Sequence, residues 1–126
     1  MRKLTSHIVN GLNEAIQIEV ADEPGQGGAC HEYLMTLAPN TTKPGQTNSW
    51  RISFQNGPVK EAGFNGISQE ALLAIVEDRL LSFQAGPYAC RENAIALTKI
   101  QEAMQWLQKR TRDWHGPRGV EGTNAK

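Results

Sequence analysis

The chain has 126 residues, with 13 basic and 13 acidic side chains and a formal net charge of zero. That balance gives no global attraction to nucleic acid or anionic lipid, while the length suffices for one domain with a core of its own. Two widely separated cysteines, Cys30 and Cys90, form neither a metal-ligand spacing nor a disulfide framework and fit a reducing compartment; the polar start MRKLTSHIVNG is no signal peptide, and the longest apolar run, Ala71 to Val76, is too short to span a membrane, so a soluble cytoplasmic protein is expected.

In chain order, Met1 to Gly11 is polar and expected to fray. Ile16, Ile18 and Val20 alternate with Gln17 and Glu19, the pattern of a half-buried strand. Asp22 to Gly28 (DEPGQGG) reads as a loop; its glycines match neither GxGxxG nor GxxxxGK, so phosphate cradling is not supported. Tyr33, Met35 and Leu37 share one face of a second strand over His31 to Leu37. Cys30-His31-Glu32 matches a fragment of a zinc-deaminase signature without its PCxxC partner, so His31 reads as a surface histidine. After a polar loop from Pro39 to Ser49, Trp50, Ile52 and Phe54 alternate in a third strand. Three short strands in succession predict an antiparallel meander of three or more strands with a helical layer, an α+β fold. Gln55 to Gly66 (QNGPVKEAGFNG) is dense in turn residues and either reverses the chain or lends its amides to a pocket.

Ser68 caps a helix whose apolar face is Leu72, Leu73, Val76, Leu80 and Phe83, and Gly86-Pro87 stops it. A second helix begins near Cys90, with no strong side-chain cap, and runs to about Trp114. Ile95, Ala96, Leu97, Ile100, Ala103, Met104, Trp106 and Leu107 share one face of it. That face is roughly 200° wide where a surface helix needs about 100°, so it asks for two things to pack against. Asn93, Arg110 and Thr111 interrupt the face with polar groups that need partners, supplied by backbone carbonyls, neighbouring subunits or an anionic ligand. The pair forms an αα-hairpin, which sets Phe83 and Asn93 at its closed end with Arg79 one turn before Phe83. Arg110 lies seventeen residues beyond Asn93, or about 25 Å along the helix. One small ligand reaches both only if an antiparallel neighbour brings its own Arg110 to this end. The chain thus divides into a β-core over about 12–66, a hairpin over about 68–115 and a glycine-rich tail over about 116–126, one domain in all. The tail, GPRGVEGT, offers backbone N–H groups, Arg118 and Thr123 as a weak phosphate-binding set.

No catalytic machinery is legible. His7, His31 and His115 fall in no nucleophile motif, and Glu77 and Asp78, adjacent on a helix, point in different directions. Binding without turnover is the expectation.

The segments FQNGPVKEAGFNGI, EALLAIVEDRL, RENAIAL, KRT and RGVEGT together resemble the phage-encoded Thoeris anti-defence sponge proteins. The hairpin from about Glu92 to Thr123 is also similar to the phage proteins that sequester cyclic oligonucleotides of the CBASS defence system. The resemblance implies a non-enzymatic protein without cofactor or metal. It would bind the cyclic ADP-ribose isomers made by bacterial TIR-domain proteins, uncleaved, in the cytoplasm of the infected host. It implies assembly from antiparallel helical dimers, as a dimer or hexamer, with the pocket at a subunit interface. By motif it implies Phe83 stacking on adenine, Asn93 hydrogen-bonding the ligand, Arg110 meeting the pyrophosphate and Arg79 as a further contact. A second site for cyclic trinucleotides is implied at Arg91, Arg118, Gly122 and Thr123. Trp114 to Pro117 stand where the family carries arginine-rich sequence, a departure that removes charge next to that second site. A nucleotide-signal hydrolase and a small helical DNA-binding or assembly protein remain the alternatives. The neutral balance and the lack of a helix-turn-helix signature argue against DNA.

Overall fold

The computed structural model describes residues 2–38 and 44–113. The tail with Arg118, Gly122 and Thr123, and the Trp114 to Pro117 interruption, lie outside these residues. The described residues fall within two compact units: Met1–Gly57 with Phe64–Ile67, and Pro58–Gly63 with Ser68–Lys126.

The first unit is a four-stranded antiparallel sheet in the order β1-β2-β3-β4: β1 (Arg2–Leu4), β2 (Ile16–Val20), β3 (Glu32–Leu37) and β4 (Ser49–Ser53). The three strands expected from alternation are present. The fourth, β1, lies in the stretch expected to fray. Three residues are too few to show a period, and β1 forms through its partners, Arg2 opposite Val20 and Leu4 opposite Ile18. The next segment is also ordered, as a short helix α1 (Gly11–Ala15) capped by the Asn10 side chain, which accepts the Asn13 N–H at 3.0 Å.

Register aligns the apolar residues. Ile18 stands opposite Met35, and Met35 opposite Trp50; Val20 stands opposite Tyr33, and Tyr33 opposite Ile52. Directly opposed residues share a face, so Leu4, Ile18, Met35 and Trp50 form one continuous apolar row. Glu19, Leu34 and Arg51 fall on the other face, where Glu32 accepts from Arg51 Nε at 3.1 Å and from the Ser53 hydroxyl at 2.7 Å.

The loops are tied by their own polar groups. The Asp22 carboxylate accepts the backbone N–H of His31 at 3.0 Å and of Glu32 at 3.1 Å. These bonds, that from His31 foremost, hold its pKa below the ordinary carboxylate range against an opposing contribution from burial. His31, expected at the surface, is buried instead. It precedes β3 on a chain pinned at both sides, with Phe54 N–H donating to its carbonyl at 2.8 Å, and its imidazole lies against Gly25.

Beyond β4 the segment expected to reverse the chain does so in two parts. The one-turn helix α2 (Val59–Ala62) ends at Gly63, whose φ of 72° is left-handed and suits glycine. Within the sheet unit, Asn65 Oδ1 accepts the Asn56 N–H at 2.8 Å and Asn65 Nδ2 donates to the Asn56 carbonyl at 2.8 Å. Gln55 Oε1 accepts the Asn65 N–H at 3.1 Å, and Gln55 Nε2 donates to the Gly57 carbonyl at 3.1 Å. These amides, weighed above as pocket lining, are spent on folding the loop. The loop returns Ile67 beside Phe54 in a parallel bridge. Gly66 is required there, because a Cβ on it would lie 2.4 Å from the Phe54 carbonyl carbon.

The second unit is a helical hairpin of α3 (Gln69–Gln84) and α4 (Arg91–Asp113). Ser68 caps α3 by accepting the Ala71 N–H at 3.1 Å, as its position implies. Gln101 Nε2 of α4 donates to Glu77 Oε2 of α3 at 3.3 Å and fixes the antiparallel register. The wide face of α4 splits in two. Leu97, Ile100, Ala103, Met104 and Leu107 are half-buried, while Ile95 and Trp106 are exposed, Trp106 by 69%. On α3 no residue is buried, and Ile75, Val76 and Leu81 are exposed. Among the described residues Val20 and Pro58 are the buried apolar side chains. No described helix is long and apolar enough to cross a membrane.

Candidate functional site

The closed end of the hairpin is built by a short linker in which the N–H groups of Ala85, Gly86, Ala89 and Cys90 are engaged. Ala85 N–H donates to the carbonyls of Leu81 at 3.1 Å and Ser82 at 3.2 Å, and Gly86 N–H to that of Phe83 at 3.2 Å. This tightening of the last turn satisfies carbonyls that a helix end leaves open. Pro87 has no N–H and cannot continue the helix. Ala89 N–H donates to the Gly86 carbonyl at 3.3 Å, and Cys90 N–H to Gln84 Oε1 at 3.0 Å. Cys90 then stands in the capping position of α4, its sulfur accepting the Asn93 N–H at 3.4 Å. The cap missing from the sequence reading is this thiol, a weaker acceptor than the usual oxygen.

Three side chains converge on this linker. The Arg79 guanidinium lies over the Phe83 ring, 5.3 Å from its centroid. The pair is four residues apart on α3, the spacing that stacks side chains on one helix face, and the geometry is that of a cation–π contact. Tyr88, from the linker, meets Phe83 at a right angle, with centroids 6.5 Å apart and planes inclined by 86°. Phe83 is half-buried; Tyr88 is 75% exposed.

Asn93 is half-buried in the first turn of α4. Moving from the Glu77–Gln101 bond toward the linker by equal lengths of helix brings Phe83 level with Ile95, about 3 Å of helical rise from Asn93. The Asn93 side-chain amide makes no hydrogen bond among the described residues. The structure therefore gathers Phe83, Arg79 and Asn93 at one end of the hairpin. Arg91 is exposed at the start of α4. Arg110 is half-buried near the far end of α4, about 25 Å from Asn93 by helical rise. Within one chain the two do not meet.

Tyr88 is the residue that sequence reasoning missed. Linker positions carry no helical period, and Gly86-Pro87 draws attention as a stop signal. An aromatic side chain just past such a stop, following a helix that ends on Phe83, is the signal that was available.

This arrangement can hold a flat, aromatic ligand beside a cation and a free amide. Among the described residues no three His, Cys, Asp or Glu side chains are grouped to hold a metal ion.

The helical hairpin that carries these residues has a known counterpart. The family model described as Acb2/Tad1, hairpin domain, matches residues 46–112, and the chain belongs to that family. It is also 52% identical over 75 residues to Thoeris anti-defense 1 of Bacillus phage SBSphiJ7. That match covers 60% of this chain and 52% of the phage protein, about half its length.

Proposed function

We propose that the protein is a sponge for a nucleotide immune signal. It binds cyclic ADP-ribose isomers made by TIR-domain defence proteins and withholds them uncleaved, so blocking anti-phage immunity. The observation that carries this reading is the aromatic and amide end of the hairpin in a chain of the Acb2/Tad1 hairpin family. The name of the phage relative supports the anti-defence role. Phe83 stacks on the adenine, Asn93 hydrogen-bonds the ligand, and Arg79 adds positive charge beside the ring. Binding alone removes the signal, so the effect is stoichiometric.

The site is completed by a second copy of the chain. Ile75, Val76 and Leu81 on α3 and Ile95 and Trp106 on α4 are left exposed in one protomer, apolar surface suited to a partner. An antiparallel neighbour covers it and brings its Arg110 to the Phe83 end, where it meets the pyrophosphate. The assembly is a dimer or hexamer and acts in the cytoplasm of the infected bacterium. Arg91 with Arg118, Gly122 and Thr123 forms the candidate second site, for cyclic trinucleotides. DNA and membranes are not partners.

The test is to incubate the protein with glycosyl-cyclic ADP-ribose, isolate the complex, heat it and chromatograph the released ligand. Intact ligand is expected. Altered ligand identifies a hydrolase instead, and no retention with duplex DNA bound identifies the nucleic-acid alternative. In the same assay Phe83→Ala lowers affinity roughly 10- to 100-fold, the usual worth of one base–aromatic stack.

A further inference from the structure

We infer that Tyr88 is a second aromatic contact for the ligand's base, set at a right angle to Phe83, and that the hairpin therefore grips the base with two rings rather than one. The inference rests on the sponge reading above and adds a residue to its site.

Four observations carry it. The Tyr88 ring is 75% exposed although it pairs with Phe83. Leaving so much of an aromatic ring in water forgoes a large burial gain, and that gain is recovered when a ligand covers the ring. The backbone on either side of the ring is also held. Pro87 fixes the preceding φ, Ala89 N–H is bonded to the Gly86 carbonyl, and Cys90 N–H to Gln84. A ring presented on a pinned backbone loses little freedom on binding. Third, the Arg79 guanidinium already lies over the Phe83 ring, which takes one of that ring's two faces. A base held by Phe83 alone would have one remaining face and no lateral boundary. Tyr88, perpendicular and adjoining, supplies the boundary, since aromatic rings meet favourably edge to face. Finally, the Tyr88 hydroxyl has no partner among the described residues, so no internal bond explains the ring's position. The ring rather than the hydroxyl makes the contact, because the ring is what Phe83 orients.

Isothermal titration of the 126-residue protein with glycosyl-cyclic ADP-ribose, over the wild type, Tyr88→Ala, Tyr88→Phe, Phe83→Ala and the double variant, tests this. Tyr88→Ala is expected to weaken binding about tenfold or more, and Tyr88→Phe to stay within about threefold of the wild type. Tyr88→Ala and Phe83→Ala are expected to be non-additive, the double variant losing less than the product of the single losses, as for two groups holding one ligand part. Sedimentation should give Tyr88→Ala the wild-type mass. Binding by Tyr88→Ala within about threefold of the wild type overturns the inference while leaving the sponge reading intact. A Tyr88→Phe loss as large as that of Tyr88→Ala assigns the effect to the hydroxyl and also overturns it. Losses that multiply, or a changed mass, place Tyr88 elsewhere than at the base. If the wild type itself does not bind the isomer, the sponge reading falls, and the second ring falls with it.

Discussion

In the sheet unit the loops are closed by their own side chains: Asp22 holds two backbone N–H groups, and Asn65 pairs with Asn56 at both ends of its amide. In the helical hairpin Ser68 and Gln84 likewise hold backbone N–H groups, yet no residue of α3 is buried and Trp106 of α4 is exposed. One unit spends its polar side chains on its own shape. The other keeps an arginine, an asparagine and a tyrosine near its closed end and leaves apolar helix surface uncovered. The contrast teaches where binding is to be sought. A side chain already committed to a loop is a poor ligand contact, whereas a half-buried amide without a partner and an exposed ring on a fixed backbone are available.

The comparison is broken most severely at Gly66. Gly66→Ala places a methyl group against the backbone of Ser53 and Phe54, where neither neighbour is a flexible side-chain end. A loss on the order of 3 kcal/mol in folding stability is expected, read by urea denaturation; an unchanged midpoint would mean the Phe54–Ile67 bridge is not needed. Next is Trp106→Glu on the hairpin. If a second copy covers this indole as proposed, its burial is worth on the order of 3 kcal/mol, and the variant is expected to sediment at a lower mass with its helical circular dichroism retained. The wild-type mass in that variant would remove Trp106 from the subunit contact. Ser68→Ala is smaller. It removes the cap of α3 and should cost about 1 kcal/mol, lowering the thermal midpoint without changing the mass.

The smallest effect is at Asp22. Its carboxyl is more acidic folded than the ordinary 3.8, chiefly through the His31 N–H bond. A group with a depressed folded pKa stabilises the protein above its unfolded pKa, and that contribution fades as pH falls through the folded value. Acid titration should therefore show stability lost below about pH 4 that is absent in Asp22→Asn. Identical acid profiles for the two proteins would refute the assignment.

How much of this was legible follows the same divide. Periodic elements announced themselves: β2 by Ile16, Ile18 and Val20, β4 by Trp50 and Ile52, α4 by a face too wide for one neighbour. The strand β1 did not, because three residues hold no period and its pairing with β2 is non-local. The burial of His31 was hidden for a different reason, since it depends on how its own β2–β3 loop folds back to bring Asp22 and Gly25 against it. At the candidate site, Phe83 and Asn93 could be placed by counting helical turns from the Gly-Pro stop. Tyr88 could not, because a linker residue takes its direction from hydrogen bonds that no spacing rule encodes. Likewise the glutamine and asparagines of the turn-rich segment were visible as residues, but which amide would pair with which depends on Ile67 returning to Phe54.

The Asn65–Asn56 pairing has a consequence for how the protein ages. Asn65 precedes Gly66, whose backbone nitrogen readily attacks such a side-chain carbonyl, expelling ammonia and closing a cyclic imide that water then opens to a carboxylate. Cyclisation needs the side chain free to turn, and here both of its polar atoms are bonded to Asn56. Chemical damage at Asn65 is thus gated by opening of the loop, and its rate in old preparations becomes a clock for that opening. Once the amide is lost, the carboxylate can no longer donate to the Asn56 carbonyl and instead faces it oxygen to oxygen, so the first molecules to open are the ones that fail to close again.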